Sequence, residues 1–217
     1  MTKPVLTISS KNYSSWSLRG WLLCKLAGLD VEEKIVSIDD PENRAELLLL
    51  TPSVLVPRLN HEGASVWDTL AIAEYLAEEF PAAGMLPKDR LARAHCRSIA
   101  GEIHSGFANL RSALPMNLKA RHKSFKVFSG ALPDIERVQK IWEECLERYG
   151  GPFLFKTPTI ADAMFAPVCT RFLTYNVKLR PGPAAYCETI MAWPPMVEWV
   201  EAAKKEPEEM EELDVEF

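Results

Sequence analysis

The stretch LTISSKNYSSWSLRGWLLCKLAGLDVEE, Leu6 to Glu33, decides how the first part of the chain is read. It continues a short buried strand, Val5 to Ser9. After Ser14 the apolar side chains Trp16, Leu18, Trp21, Leu22 and Leu26 recur at roughly helical spacing as far as Gly28, a residue suited to the left-handed end of a helix. VEEKIVSI, Val31 to Ile38, reads as a second strand. Strand, helix and strand within about 40 residues predict a parallel pair joined by a crossover helix. Between strand and helix stand Ser9, Ser10, Ser14, Ser15 and Ser17, more hydroxyls than one helix cap requires.

Further along, DPENRAELLLLTP (Asp40 to Pro52) predicts a short helix between two prolines. Val56 to Leu59 and Ala64 to Trp67 predict a hairpin about a turn at His61, Glu62 and Gly63. Asp68 is placed to cap a helix from Thr69 to about Phe80, which Pro81 stops. The first 80 or so residues therefore read β-α-β-α-β-β-α. Beyond PAAGMLPKD no strand signal remains and helical patterns take over: one helix over roughly Arg90 to Ala113, one from about Asp134 to Tyr149, one starting at Thr159 in TIAD with Asp162 three residues on, and shorter helices after Pro183 and Pro195. We expect an α/β domain at residues 1–82 and an all-α domain at 83–217.

Composition narrows the function. The chain has 217 residues, 47% hydrophobic and 25% charged, enough for a substantial core. Its net charge of -5 gives no electrostatic reason to bind nucleic acid, so that partner is not expected. The absence of a long apolar run and of a signal-peptide layout predicts no membrane association and a cytoplasmic location. Cys24, Cys96, Cys145, Cys169 and Cys187 have neither CxxC nor short Cys/His spacing, so buried free thiols are expected and no metal site. No G-x-S-x-G elbow surrounds a serine, no cysteine opens the first helix, and the phosphate-loop and dinucleotide fingerprints are missing.

The order of elements and four motifs resemble the soluble glutathione transferases over essentially the whole chain. SSWSLR, Ser14 to Arg19, is similar to the zeta-class serine motif SSCSWR. VPRL resembles the segment with a cis-proline that thioredoxin-like folds place beside the active site, with Pro57 as the cis residue. WDTLAIAEYL is similar to E-S-x-A-I-x-x-Y-L, with Asp68 and Thr69 at its acid and hydroxyl positions. TIADAMFAP resembles the family's S/T-I-A-D helix start, and EIHSGFANLRSALPMNL looks like a bacterial subgroup. The resemblance thus implies a serine-type transferase nearest to zeta-like bacterial members, with a thioredoxin-like α/β N-terminal domain followed by a helical one.

The resemblance also implies glutathione as co-substrate, a small-molecule electrophile as partner and a two-fold homodimer. A thiol of this kind has an ordinary pKa of about 8.5, so little of it is the nucleophilic thiolate near neutral pH. A serine hydroxyl and the positive end of a helix would stabilise the anion. By the motif match Ser14 contacts the thiolate and Ser15 assists; by local sequence alone either is an N-cap. Val56, ahead of Pro57, would pair its backbone with the cysteinyl unit, while Asp68 and Thr69 would hold the γ-glutamyl end, besides capping their helix. Tyr13, Trp16, His104, Phe107, Arg111 and Met116 are candidates for the electrophile pocket between the domains. Trp16 stands where the zeta motif has cysteine, and Val54 and Leu55 stand where relatives often carry a polar or basic residue. Besides conjugation, a glutathione-dependent isomerase of the maleylacetoacetate type, a peroxidase, and a non-catalytic binding or regulatory protein remain open.

Overall fold

The computed structural model describes residues 3–36 and 55–207. The helix expected within Asp40 to Pro52, the last two residues of the second predicted strand, and Val54 lie outside the described residues. The described N-terminal elements are β1 (Val5–Ile8), α1 (Ser15–Ala27), β2 (Glu32–Ile35), β3 (Arg58–His61), β4 (Ala64–Trp67) and α2 (Thr69–Glu79). They build a four-stranded sheet in the order β2-β1-β3-β4. As expected of a crossover unit, β1 and β2 run parallel, while β3 is antiparallel to both β1 and β4. Leu6 and Ile8 of β1 are fully buried, which fits a strand at the centre of the sheet.

Local chemistry sets these boundaries. Gly28 ends α1 at φ 74°, and the Gly28 and Leu29 amides return to the Lys25 and Cys24 carbonyls in a Schellman closure. The hairpin turns at Glu62 and Gly63, both with positive φ, as a type I′ turn demands. His61, expected in that turn, is instead the last residue of β3. The strand also opens at Arg58 rather than Val56, because Pro57 has no N–H to give to a ladder; the Val56–Pro57 peptide is cis.

The second domain comprises α3 (Arg90–Ser105), α4 (Ala108–Ala113), α5 (Leu132–Tyr149), α6 (Ile160–Thr174), α7 (Pro181–Ala192) and α8 (Pro194–Ala203). The single helix expected over Arg90 to Ala113 is in fact two. Gly106 closes α3 by donating its amide to the Glu102 carbonyl, and Phe107 then takes a left-handed φ of 60° before its own carbonyl accepts from Arg111 at the start of α4. The apolar periodicity continues through the break, so it hid the turn.

Helix α6 is the hub, buried along nearly all of its length and packed against α1, α3 and α7. Its start is the capping box foreseen in TIAD: Asp162 accepts from the Thr159 amide at 2.8 Å and the Thr159 hydroxyl at 3.0 Å, and also from the Leu154 amide and the Tyr186 hydroxyl. Around it, Trp142 meets the rings of Phe165, Phe172 and Tyr186. All five cysteines are buried free thiols. Among the described residues no helix is long and apolar enough to cross a membrane.

Candidate active site

A cleft of about 300 Å³ opens where the two domains meet, lined by Trp16, Leu55, Val56, Pro57, Asp68, Thr69, His104 and Arg111. Each element contributes what its local structure exposes. Helix α1 brings Trp16 in its first turn, α2 brings its N-terminus, and α3 and α4 bring His104 and Arg111. Pro57 reaches the cleft because α1 has Gly20 opposite it. A Cβ on Gly20 would lie 2.5 Å from Pro57 Cγ, so only glycine lets helix and loop approach this closely.

Asp68 has φ 74° and ψ 134°, a strained conformation for a residue with a side chain and one that collects at functional sites. Its Oδ1 caps α2 by accepting the Leu70 and Ala71 amides. That leaves Oδ2 directed at His104 Nε2, 3.1 Å away, while His104 Nδ1 lies 3.3 Å from the Thr69 hydroxyl. Trp16 is the hinge between the two sides of the cleft. Its ring meets His104 edge-on at 5.3 Å, with the Arg19 guanidinium 4.5 Å from its centre and that of Arg111 5.6 Å away.

The surplus of serines now resolves into separate tasks. Ser10 Oγ accepts the Asn12 and Tyr13 amides and donates to Glu206. Ser17 Oγ accepts the Ser9 amide. Ser14 is the N-cap of α1: its oxygen accepts the Ser17 amide at 3.2 Å and its proton goes to Ser17 Oγ at 2.9 Å. Ser15 is buried, and its oxygen accepts from Arg171 Nη2 at 3.1 Å. Both serines stand at the N-terminus of α1, beside Trp16, although neither lines the cleft.

The loop before α1 is held from far along the chain. Glu206 accepts the Lys11 amide at 2.7 Å, the Asn12 amide at 3.0 Å and the Ser10 hydroxyl at 2.8 Å. Trp199 donates its indole N–H to the Lys11 carbonyl. Asn12 bonds Asn117 and accepts the Leu118 and Lys119 amides.

Two buried arginines flank the same place. Arg19 gives its Nε to the Met164 carbonyl while its Nη1 is buried without a partner. Arg171 gives Nη1 to the carbonyls of Arg111 and Leu114. Burial, and then the neighbouring Arg171 and Arg111, push Arg19 down to about 9; burial pulls Arg171 down to about 10, with Tyr175 raising it and Arg111 lowering it.

Of the residues expected from sequence, Val56, Pro57, Asp68 and Thr69 meet in the cleft with Trp16, His104 and Arg111. Met116 and Phe107 do not: they are 2% and 8% exposed and belong to the core. Tyr13 is half-buried outside the lining. Gly20, Arg19, Arg171 and Glu206 escaped the sequence reading, though an arginine inside an apolar helix, as in SSWSLRGW and APVCTRFL, was a signal available for two of them. A larger cavity of about 620 Å³, lined by residues between Ser112 and Phe128, shares no residue with the cleft and has neither the α1 nor the α2 N-terminus in its wall.

Comparison with known proteins points the same way. Residues 13–79 match the family model described as glutathione S-transferase, N-terminal domain, and residues 117–202 match its C-terminal counterpart. A probable maleylacetoacetate isomerase of Caenorhabditis elegans is 30% identical over 83% of this chain and 84% of its own. Glutathione S-transferase 1 of Dianthus caryophyllus is 30% identical over 75% of each. Among solved structures, a glutathione transferase homologue from Burkholderia with bound glutathione superposes with a TM-score of 0.68 at 26% identity, over 93% of this chain and 97% of that one.

Proposed function

The chain belongs to the glutathione S-transferase family, and we propose that it binds glutathione in the Trp16–Arg111 cleft and uses the thiolate to attack a small electrophile there. The observation that carries this reading is the convergence of two helix N-termini, those of α1 and α2, on one cleft that also holds Val56. An anionic peptide with one carboxylate and one thiolate matches two such positive ends. The γ-glutamyl carboxylate would sit at the start of α2 near Thr69, its ammonium on Asp68 Oδ2, and the cysteinyl backbone along Val56. The thiol then falls at the start of α1. Ser14 can turn its O–H about the Cβ–Oγ bond from Ser17 to the sulfur while its oxygen keeps the Ser17 amide, with Ser15 beside it. A hydrogen bond to a charged sulfur stabilises it by about 1.5–3 kcal/mol, or one to two pKa units at about 1.4 kcal/mol each.

With the peptide so seated, Trp16, Leu55, His104 and Arg111 remain for the electrophile: one aromatic face and one guanidinium. Arg111 and the Caenorhabditis elegans relative favour a second reading, isomerisation of a carboxylate-bearing enone. The thiolate would add to one carbon of the double bond, sending its electron pair to the conjugated carbonyl as an enolate. The resulting single bond rotates, and collapse of the enolate re-forms the double bond and expels the thiolate unchanged.

One set of assays separates the readings. The chain is offered glutathione with an aryl halide, then with a cis-configured maleyl-type enone; adducts are identified by mass and the cis and trans isomers by proton NMR. A glutathione adduct supports conjugation, whereas an isomer with glutathione unconsumed supports the second reading. If neither forms and glutathione causes no thermal shift, both readings fail and the fold serves a non-catalytic role. A two-fold homodimer belongs to the same proposal and is checked by sedimentation.

A further inference from the structure

The two serines at the head of α1 are wired differently. The proton of Ser14 goes to Ser17 Oγ. The oxygen of Ser15 is held by Arg171 Nη2, and a guanidinium has no lone pair, so the Ser15 proton cannot point back along that bond. No described residue accepts it. Arg171 cannot swing away either, since its other terminal nitrogen is clamped by the Arg111 and Leu114 carbonyls and the residue is buried, 5% exposed. Ser15 therefore keeps, at a helix N-terminus, an O–H that no described residue accepts.

The charges around it are unusual in a chain of net charge -5. Arg19, Arg111 and Arg171 gather about Ser15 and Trp16, and no acidic side chain among the described residues bonds any of them. Burying guanidinium groups without a counter-charge is unfavourable, and Arg19 even keeps Nη1 unpartnered. An anion at the start of α1 would supply the missing charge.

We propose that Arg171, from the second domain, is a positioning residue for the thiolate: by holding the Ser15 oxygen from behind it directs the Ser15 proton at the glutathione sulfur, and with Arg19 and Arg111 it makes the site selective for the ionised thiol. This rests on the glutathione reading above. A hydroxyl that accepts from a cation becomes a stronger donor in turn, so the Arg171–Ser15–sulfur chain stabilises the anion more than an isolated serine would.

The test reads the ultraviolet absorbance of the bound thiolate against pH in wild type, Ser15→Ala, Arg171→Lys and the double variant. Lysine keeps the charge but loses the planar Nη2 that reaches Ser15. Arg111, Arg19 and Tyr175 face Arg171, and His104 and Asp68 line the cleft; all five are unchanged in every variant, so their contribution cancels. Each single variant should raise the bound-thiol pKa by about one unit, a roughly tenfold drop in the ionisation constant, and the double variant should add nothing further. A purely structural Arg171 would lower Tm and leave that pKa where it was. Wild-type acidity in Ser15→Ala overturns the proposal, and does so alone if Arg171→Lys fails to fold; additive shifts overturn it as well. Glutathione that fails to bind wild type, or binds without ionising, sinks the underlying reading together with this one.

Discussion

Gly20 and Pro57 are in such close contact that a methyl group on the glycine would lie 2.5 Å from Cγ and 2.6 Å from Cβ of the proline. Both belong to buried segments, so neither can give way cheaply. Gly20→Ala should therefore destabilise by about 1–3 kcal/mol, the usual cost of overpacking, against the slight gain in helix propensity. Because Pro57 must shift, Val56 shifts with it, and KM for glutathione should rise more than kcat falls. Thermal melts and steady-state kinetics check both parts; an unchanged KM would separate the contact from binding.

Ser14→Ala removes a helix cap and a candidate thiolate donor together, and the two effects have different sizes. Loss of the cap costs about 1 kcal/mol of stability. Loss of a hydrogen bond to the sulfur should lower kcat/KM at least tenfold, which corresponds to about 1.4 kcal/mol in the transition state. Ser14→Asp would keep the cap while placing a negative charge beside the sulfur, so it should retain the melting temperature yet lose activity. Full activity in Ser14→Ala would move the donor to Ser15.

Asp68 ties three things at once: the start of α2, His104 and the proposed ammonium site. Asp68→Asn keeps an oxygen for the Leu70 and Ala71 amides and gives up the charge. We expect little change in Tm and a rise in KM for glutathione of about tenfold, the size of one lost charge-assisted bond. Equal KM in the two proteins would mean that Asp68 serves the fold and His104 alone.

Asp162 makes stability depend on pH. Burial raises its carboxyl to about 6, although the four donors from Leu154, Thr159 and Tyr186 pull the other way. The folded chain thus holds this proton more tightly than the unfolded chain, whose aspartate titrates near 4. Stability from this group is full below about pH 4 and is lost as the pH rises through about 6, a change on the order of 3 kcal/mol. Asp162→Asn should abolish that slope between pH 4 and 7 while lowering stability throughout by about 1–3 kcal/mol, since an amide cannot accept all four bonds. Urea titrations at several pH values measure both.

The sequence made the α/β unit legible because its punctuation is local. Gly28, the Glu62–Gly63 pair, Asp68 and the Thr159–Asp162 box each act within a few residues of themselves, and each does in the structure what its chemistry demands. The break at Gly106 and Phe107 was hidden because an apolar stripe says nothing about a single left-handed residue within it. The cleft was half legible. Val56, Pro57, Asp68 and Thr69 could be named from motifs, but Trp16, besides its neighbour Arg19 one turn on, acquires meaning only from His104 and Arg111, which no spacing links to it. Likewise Phe107 and Met116 look like His104 and Arg111 as pocket candidates until burial separates them.

The Glu206 carboxylate holds the Ser10–Asn12 loop across nearly the whole chain. During synthesis the first domain leaves the ribosome with its sheet and helices encoded, yet the turn ahead of Ser14 has to wait for Asn117, then Trp199, and last for residue 206. Contacts of such sequence separation form late and slowly. A nascent chain of this protein would thus carry an unfinished turn ahead of α1 until residue 206 has left the ribosome.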